Sequence, residues 1–213
     1  MPVNKDAYLQ IKEQLDAGKV TLVAVSKTKP VSDILELYEL GQRDFGENYV
    51  QELVDKAAQL PKDIRWHFIG HLQSNKVKYI APFVQLVHGV DSEKLLKEIN
   101  KQALKLNRII DVLLQIHIAE EETRFGLNEE ELKAAMQVQL SNTTVCGLMG
   151  MASFSNDKEQ VRNEFRGLKK MYDEFPQFKI LSMGMSGDYE IAVEEGSTMV
   201  RIGSLLFGAR NYS

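Results

Sequence analysis

Thr21-Leu-Val-Ala-Val-Ser-Lys27-Thr-Lys-Pro30 decides how the rest of the chain is read. An unbroken apolar run ends in one lysine, and a proline three residues on stops any continuation. A strand of a parallel α/β protein delivers its end to the C-terminal mouth of the sheet, where such folds keep their chemistry. Lys27 is therefore a candidate reactive amine. It can condense with an aldehyde once desolvation or nearby charge lowers its pKa. The competing description is a solvated loop lysine beside Lys29, and this stretch alone leaves both open.

Outward from that strand, the pattern repeats. Residues 3–18 read as an opening helix with Tyr8, Ile11 and Leu15 on one face and Gly18 as its stop. Val20 to Thr28 is the first strand. The next strands are expected at Arg43 to Asn48, Arg65 to Gly70, Val84 to Val90, Asp111 to Ala119, Val145 to Ala152, Ile180 to Met185 and Met199 to Gly203. Between them lie helical stretches. Ser32 is expected to cap the helix through Leu40, and Tyr49 to Leu60 and Asn75 to Ile80 are helical. Ser92 caps Glu93 to Leu106, Asn128 caps a helix to about Leu140, and Ser155 or Asn156 opens a long helix ending at Pro176. Asp188 to Glu195 is a short helix, and Ser204 opens a last turn.

Eight strands alternating with helices, without linker or low-complexity run, predict a parallel sheet. Eight βα units in one domain over residues 1–213 predict a closed (β/α)8 TIM barrel. The rival is an open doubly wound sheet, which usually carries a glycine-rich first turn. Ser-Lys-Thr-Lys-Pro contains no Gly-x-Gly, so the barrel is favoured.

Composition narrows the function. The 213 residues carry 26 Lys and Arg against 30 Asp and Glu, a formal charge of -4, and 44% are hydrophobic. No basic patch suggests a nucleic-acid or membrane surface. Cys146 is the sole cysteine, which excludes an internal disulfide and a cysteine-based zinc site. The start lacks an apolar leader segment and no window reaches transmembrane length, so a soluble cytoplasmic protein is expected.

Two further constellations sit at strand ends. Ser182-Met-Gly-Met-Ser186-Gly187-Asp188 follows strand seven, and Arg201-Ile-Gly203-Ser204 ends strand eight. Each sets a Gly/Ser pair where a strand hands over to a helix, and turns seven and eight are the usual phosphate grip of this barrel. Arg201, inside an apolar strand, needs a partner. A carboxylate such as Glu47 is one; a heteroaromatic ring nitrogen is the other, and that nitrogen would then stay unprotonated. Asn48 closes strand two, either as a donor to a ring oxygen or as an ordinary turn residue. His67 and His71 straddle a strand end without the Glu of a metal-binding helix, so no metal site is expected. Trp66 and Phe68 are expected to pack on helices, His117 to be a satisfied interior histidine, and Glu120-Glu121-Glu122 to be a solvated acidic loop.

Together, Val-Ala-Val-Ser-Lys27-Thr-Lys-Pro, Phe-Gly-Glu-Asn48-Tyr, Trp-His-Phe-Ile-Gly-His-Leu-Gln-Ser-Asn-Lys, Gly-Leu-Met-Gly-Met-Ala, Ser-Met-Gly-Met-Ser186-Gly-Asp and Val-Arg201-Ile-Gly203-Ser204 resemble the pyridoxal phosphate homeostasis proteins, relatives of the alanine racemase barrel domain. The match runs in order through nearly the whole chain. The resemblance implies pyridoxal 5'-phosphate (PLP) held as an aldimine on Lys27. It implies phosphate contacts from Ser186, Gly187, Gly203 and Ser204, Arg201 at the pyridine nitrogen, and Asn48 and Met183 near the ring. Many relatives carry a lysine where this chain has Arg124, which puts a second lysine-based site in doubt.

The resemblance further implies a role in vitamin B6 and amino-acid homeostasis, with PLP-dependent apo-enzymes as possible recipients and no established reaction. An amino-acid racemase of alanine-racemase type is the alternative. It needs a second acid/base on the far face of the cofactor, which alanine racemase takes from a separate domain not seen here, so a monomer without catalytic residues is expected. A Schiff-base aldolase using Lys27 without cofactor is the third possibility.

Overall fold

The computed structural model describes residues 3–121 and 125–208. Eight strands close in sequence order into a barrel, each paired in parallel with the next and β8 with β1. The order is α1 (Lys5–Ala17), β1 (Thr21–Val25), α2 (Val31–Glu39), β2 (Asp44–Glu47), α3 (Val50–Gln59), β3 (Arg65–Phe68), a 3-10 turn (Ser74–Lys76), α4 (Val77–Ile80), β4 (Leu86–Val90), α5 (Glu93–Lys105), β5 (Ile110–Ile116), α6 (Glu129–Ala135), β6 (Thr143–Gly150), α7 (Lys158–Asp173), β7 (Ile180–Ser182), α8 (Tyr189–Glu194), β8 (Met199–Ile202) and α9 (Ser204–Phe207). No helix among the described residues is long and apolar enough to cross a membrane.

Strand alternation divides the apolar residues into two cores. Val23, Leu86, Leu113, Met149 and Met199 point inward and fill the barrel. Leu22, Ala24, Phe45, Trp66, Phe68, Val87, Val112, Leu148, Leu181, Val200 and Ile202 point outward and meet the helices in a larger core. Trp66 and Phe68 thus pack on helices, as expected. The barrel closes through Thr21 opposite Met199 and Val23 opposite Arg201.

The ordered strands are shorter than the apolar runs that announce them. β1 ends at Val25 and β7 at Ser182, because the chain beyond each turns into a loop. Gly184 adopts φ +97°, which ends any extension of β7 toward Met185. His117 accordingly lies just past β5, its Nε2 bonded to the Glu121 carbonyl at 3.0 Å, so it is satisfied but not mid-strand.

Three helix starts and stops differ from expectation. Asp157, rather than Ser155 or Asn156, caps α7, accepting from the Glu159 and Gln160 amides at 2.9 and 3.2 Å. The Ser155 hydroxyl instead accepts from the Asp157 amide. Pro30 occupies the cap of α2, and Ser32 already lies inside the helix. α6 keeps its Asn128–Glu131 capping box but ends at Ala135, since Val138 and Leu140 reach the core from irregular chain.

Candidate functional site

Lys27 sits in a turn just beyond β1. The Ser26 amide extends the ladder by one bond to the Gly46 carbonyl at 3.0 Å, and the Lys29 amide donates to the Ser26 carbonyl at 3.0 Å. Thr28, between them, has φ +62°, a left-handed conformation rare for a β-branched residue. Ser26 faces the helices, where its hydroxyl donates to Glu47 Oε1 at 2.6 Å. Lys27 itself is half-buried at the C-terminal end of β1. Lys29 is held elsewhere: its Nζ donates to the Phe207 carbonyl at 2.7 Å and ties the β1 loop to α9.

The two glycine–serine turns form one unit. The Gly203 amide donates to the Ser186 hydroxyl at 3.2 Å, joining the turn after β7 to the turn after β8. A Cβ on Gly203 would lie 3.2 Å from the Val25 carbonyl oxygen and 3.3 Å from its Cβ, so this joint abuts β1 two residues before Lys27. Gly187 and Ser204 are exposed at the same place, and a Cβ at Gly187 would meet nothing within 4 Å. The amides of Ser186 and Gly187 make no backbone hydrogen bond among the described residues. Amides without a backbone partner, hydroxyls and open space in one corner suit a phosphate.

Arg201 does not pair with Glu47. It lies in the barrel interior, 4% exposed, and donates to the Ser182 hydroxyl at 2.6 Å and the Gly150 carbonyl at 3.1 Å. Burial lowers its pKa to about 10, so it stays cationic at neutral pH. Ser182 begins a polar chain down the barrel. Its oxygen is 3.0 Å from His88 Nδ1, His88 Nε2 is 2.9 Å from His67 Nδ1, and His67 Nε2 is 2.9 Å from Asp44 Oδ1. Burial holds the pKa of His88 well below the ordinary range, helped by His67 and Arg201. One arrangement with neutral imidazoles satisfies every contact: Arg201 donates to Ser182, Ser182 to His88, His88 to His67 and His67 to Asp44. Burial works to raise the Asp44 carboxyl, but hydrogen bonds from Arg65 and His67 outweigh it and hold the pKa at about 2.

Asn48 follows β2, half-buried, and its Oδ1 is buried without a partner among the described residues. A Cβ on Gly70 would come within 2.4 Å of the Asn48 carbonyl oxygen, so only glycine lets the next loop close over it. Met183 is fully buried and belongs to the outer core, so its side chain packs toward helices while Ser182 faces inward. His71 is exposed and apart from His67: its Nδ1 is 2.9 Å from Asp91 Oδ2 and its ring stacks on Phe125 at 4.1 Å. Among the described residues no group of three or more His, Cys, Asp or Glu could hold a metal. Arg124 lies outside the described residues.

Ser182, His88 and the buried Lys56 beneath Lys27 were not evident from sequence. Lys56 carries a weak signal, since Glu52 stands four residues before it on a helical stretch. His88 and Ser182 carry none, because their contact is a barrel register between strands 94 residues apart.

The residues present fit PLP: a strand-end amine, an amide and hydroxyl corner for the phosphate, a buried guanidinium and an unpartnered Asn48 oxygen. The alanine racemase N-terminal domain family matches residues 5–211. The pyridoxal phosphate homeostasis protein of Aquifex aeolicus is 44% identical over 90% of this chain and 87% of its own length, and that of Escherichia coli K12 is 41% identical over 92% and 88%. PipY of Synechococcus elongatus, solved with PLP bound, has 34% identity and a TM-score of 0.88 over 95% of this chain and 99% of its own. Alanine racemase from Bartonella henselae, at 16% identity and TM-score 0.74 over 98% of this chain and 60% of its own, shares the fold. By fold and sequence, the chain belongs to the pyridoxal phosphate homeostasis proteins, a family built on the alanine racemase N-terminal barrel.

Proposed function

We propose that this protein binds PLP as a Schiff base on Lys27 and serves as a monomeric, cytoplasmic carrier of the cofactor in vitamin B6 and amino-acid homeostasis. Lys27 Nζ condenses with the aldehyde carbon and one water leaves, so the bound cofactor is masked until water or a recipient amine reverses the bond. When bound, PLP supplies an electron-accepting aldehyde and ring. The chain's own residues decide how far that capacity is used.

Ser186, Gly187, Gly203 and Ser204 hold the phosphate through amides and hydroxyls. Arg201 donates toward the ring nitrogen and, being cationic, keeps it unprotonated. Asn48 meets the ring oxygen, its amide group free to turn toward it. Met183 supports the site from behind through its packing in the outer core. The observation that carries the proposal is the Ser186–Gly203 hydrogen bond, set against Val25 two residues from Lys27. It sets the two Gly/Ser turns against the end of β1, which supports reading them as the phosphate corner of a cofactor attached at Lys27. PLP-dependent apo-enzymes are the proposed recipients, and small-molecule PLP is the proposed ligand. A nucleic acid or membrane has no part in this function.

An amino-acid racemase is the second possibility, favoured by the barrel it shares with alanine racemase. Absorbance and turnover separate the two. The loaded protein should absorb at about 420 nm, and borohydride should remove the band and leave the cofactor on Lys27. Lys27→Ala should lose the band yet keep part of the affinity through the phosphate corner. A band that survives in Lys27→Ala would put the attachment elsewhere. Sustained turnover of amino acids on the order of 1 s⁻¹ would overturn the carrier in favour of the racemase.

A further inference from the structure

On the helix side of the barrel lies a buried ionic cluster whose side chains are not among those assigned to the cofactor. Lys56 of α3 is almost fully buried, with side-chain exposure of 7%, and Glu47 of β2 is at 0%. Lys56 Nζ donates to Glu47 Oε1 at 2.7 Å, to Glu52 Oε1 at 2.6 Å and to the Ser26 carbonyl at 2.7 Å. Glu52 Oε1 also accepts from the Thr28 amide at 2.6 Å, and Glu47 Oε1 from the Ser26 hydroxyl. Burial raises the Glu47 carboxyl, against the pull of Lys56 and Ser26.

The cluster's two backbone ties fall on either side of one residue. The carbonyl before Lys27 and the amide after it are both fixed by the same ammonium–carboxylate pair. Thr28, whose amide is the second tie, stands at φ +62°, which a threonine leaves readily unless its surroundings hold it. A buried ion pair needs further hydrogen-bond partners, and this pair takes them from the two peptide groups that flank Lys27.

We infer that Lys56, Glu52 and Glu47 are positioning residues that clamp the turn carrying Lys27 and so hold its amine toward the barrel mouth. This rests on Lys27 being the attachment point. Without the clamp Thr28 relaxes toward the right-handed region, and the amine then meets the aldehyde less often in a productive geometry.

Two ligands separate this role from general scaffolding. PLP uses the amine, whereas pyridoxamine 5'-phosphate carries an amine in place of the aldehyde and uses only the phosphate and ring contacts. Glu52 is the residue to change, because its side chain is 22% exposed and its loss leaves the Lys56–Glu47 pair intact. In the full chain, Glu52→Ala should weaken PLP binding about tenfold or more and leave pyridoxamine 5'-phosphate within about twofold. Glu52→Gln, which keeps an acceptor oxygen for the Thr28 amide, should recover most of the loss. Without any cofactor, hydrogen exchange at the Thr28 amide should quicken in Glu52→Ala while the core amides of α3 are unchanged.

Equal losses for both ligands would make the cluster ordinary scaffolding, and unchanged PLP binding would remove its role. Lys27→Ala run in parallel tests the premise. If that variant keeps the preference for PLP over the amine analogue, the attachment itself is misplaced. Faster Thr28 exchange in Glu52→Ala would then still establish the clamp on the turn, while its purpose toward the cofactor falls.

Discussion

Arg201 is the residue whose setting says most about how the site treats a bound ring. It is a cation in the barrel interior, with one hydroxyl and one carbonyl as its described partners and no carboxylate in hydrogen-bond contact. Burial lowers its pKa to about 10, and the Asp188 carboxylate, attracting it without a hydrogen bond, offsets only part of that. The arrangement makes chemical sense if the remaining donors face an acceptor supplied by the ligand. Arg201→Glu should let the ring nitrogen become protonated, because a carboxylate there stabilises the pyridinium that a guanidinium repels. The absorption maximum of the loaded protein, and the pH at which it changes, should both shift. An unchanged spectrum in a folded variant would place Arg201 away from the ring. Since a buried carboxylate without a partner costs several kcal/mol, Arg201→Gln serves as the companion. It removes the cation without adding an anion and should give a smaller shift of the same kind.

At the scale of elements, the sequence announces more than it delimits. β1 and β5 are legible because apolar runs of this length, stopped by turn residues, have few other uses. Their ends are less legible, because an apolar residue past the last ladder bond is still buried under a loop and reads like strand. The order of eight units gives the barrel. The pairing of Ser182 with His88 and of Lys56 with Ser26 depends on register and strand stagger, which no local pattern encodes. That Lys27, Ser186, Gly203 and Ser204 stand just past strand ends was legible, because a run of apolar residues closed by a turn marks where each strand stops. The outward packing of Met183 was not, since its neighbour Ser182 takes the inward position.

The start of α7 shows the same limit. Ser155, Asn156 and Asp157 are all acceptable caps by residue type, and only geometry shows that Asp157 receives the amides of Glu159 and Gln160. α7 presses Val161, Phe165 and Leu168 onto the core, so its first turn matters to the whole. Asp157→Ala should cost about 1 kcal/mol and lower the melting temperature by roughly 2–4 °C. Asn156→Ala should change it by less than about 0.5 kcal/mol. Urea titration of the two variants checks both, and equal effects would return the cap to its neighbours.

Across the whole molecule, the polar chain from Asp44 to Arg201 makes stability depend on pH in a direction that can be worked out. His88 is kept neutral by burial, with its folded pKa well below the ordinary 6.5. The unfolded chain takes up a proton there as pH falls below that value and the folded one does not, so stability declines with acidification. The loss reaches about 1.4 kcal/mol one pH unit below 6.5 while His88 stays neutral in the folded state. Asp44 acts in the same direction lower down: its folded pKa of about 2 lies below the ordinary 3.8, so its contribution is complete above 3.8 and is lost as pH falls toward 2. Glu47 opposes both, because burial raises its carboxyl above the ordinary 4.5 and the folded state takes up that proton first. The raw pH profile is therefore a sum of opposed slopes, and the difference between two proteins isolates one of them. His88→Gln keeps a polar group in the chain but removes the titration. Urea unfolding at pH 7.0 and 5.5 should show the native protein losing about 1 kcal/mol more than the variant over that interval. Parallel losses in the two would mean that His88 takes up a proton inside the barrel, and a relay from Arg201 to Asp44 through a neutral His88 would have to be abandoned.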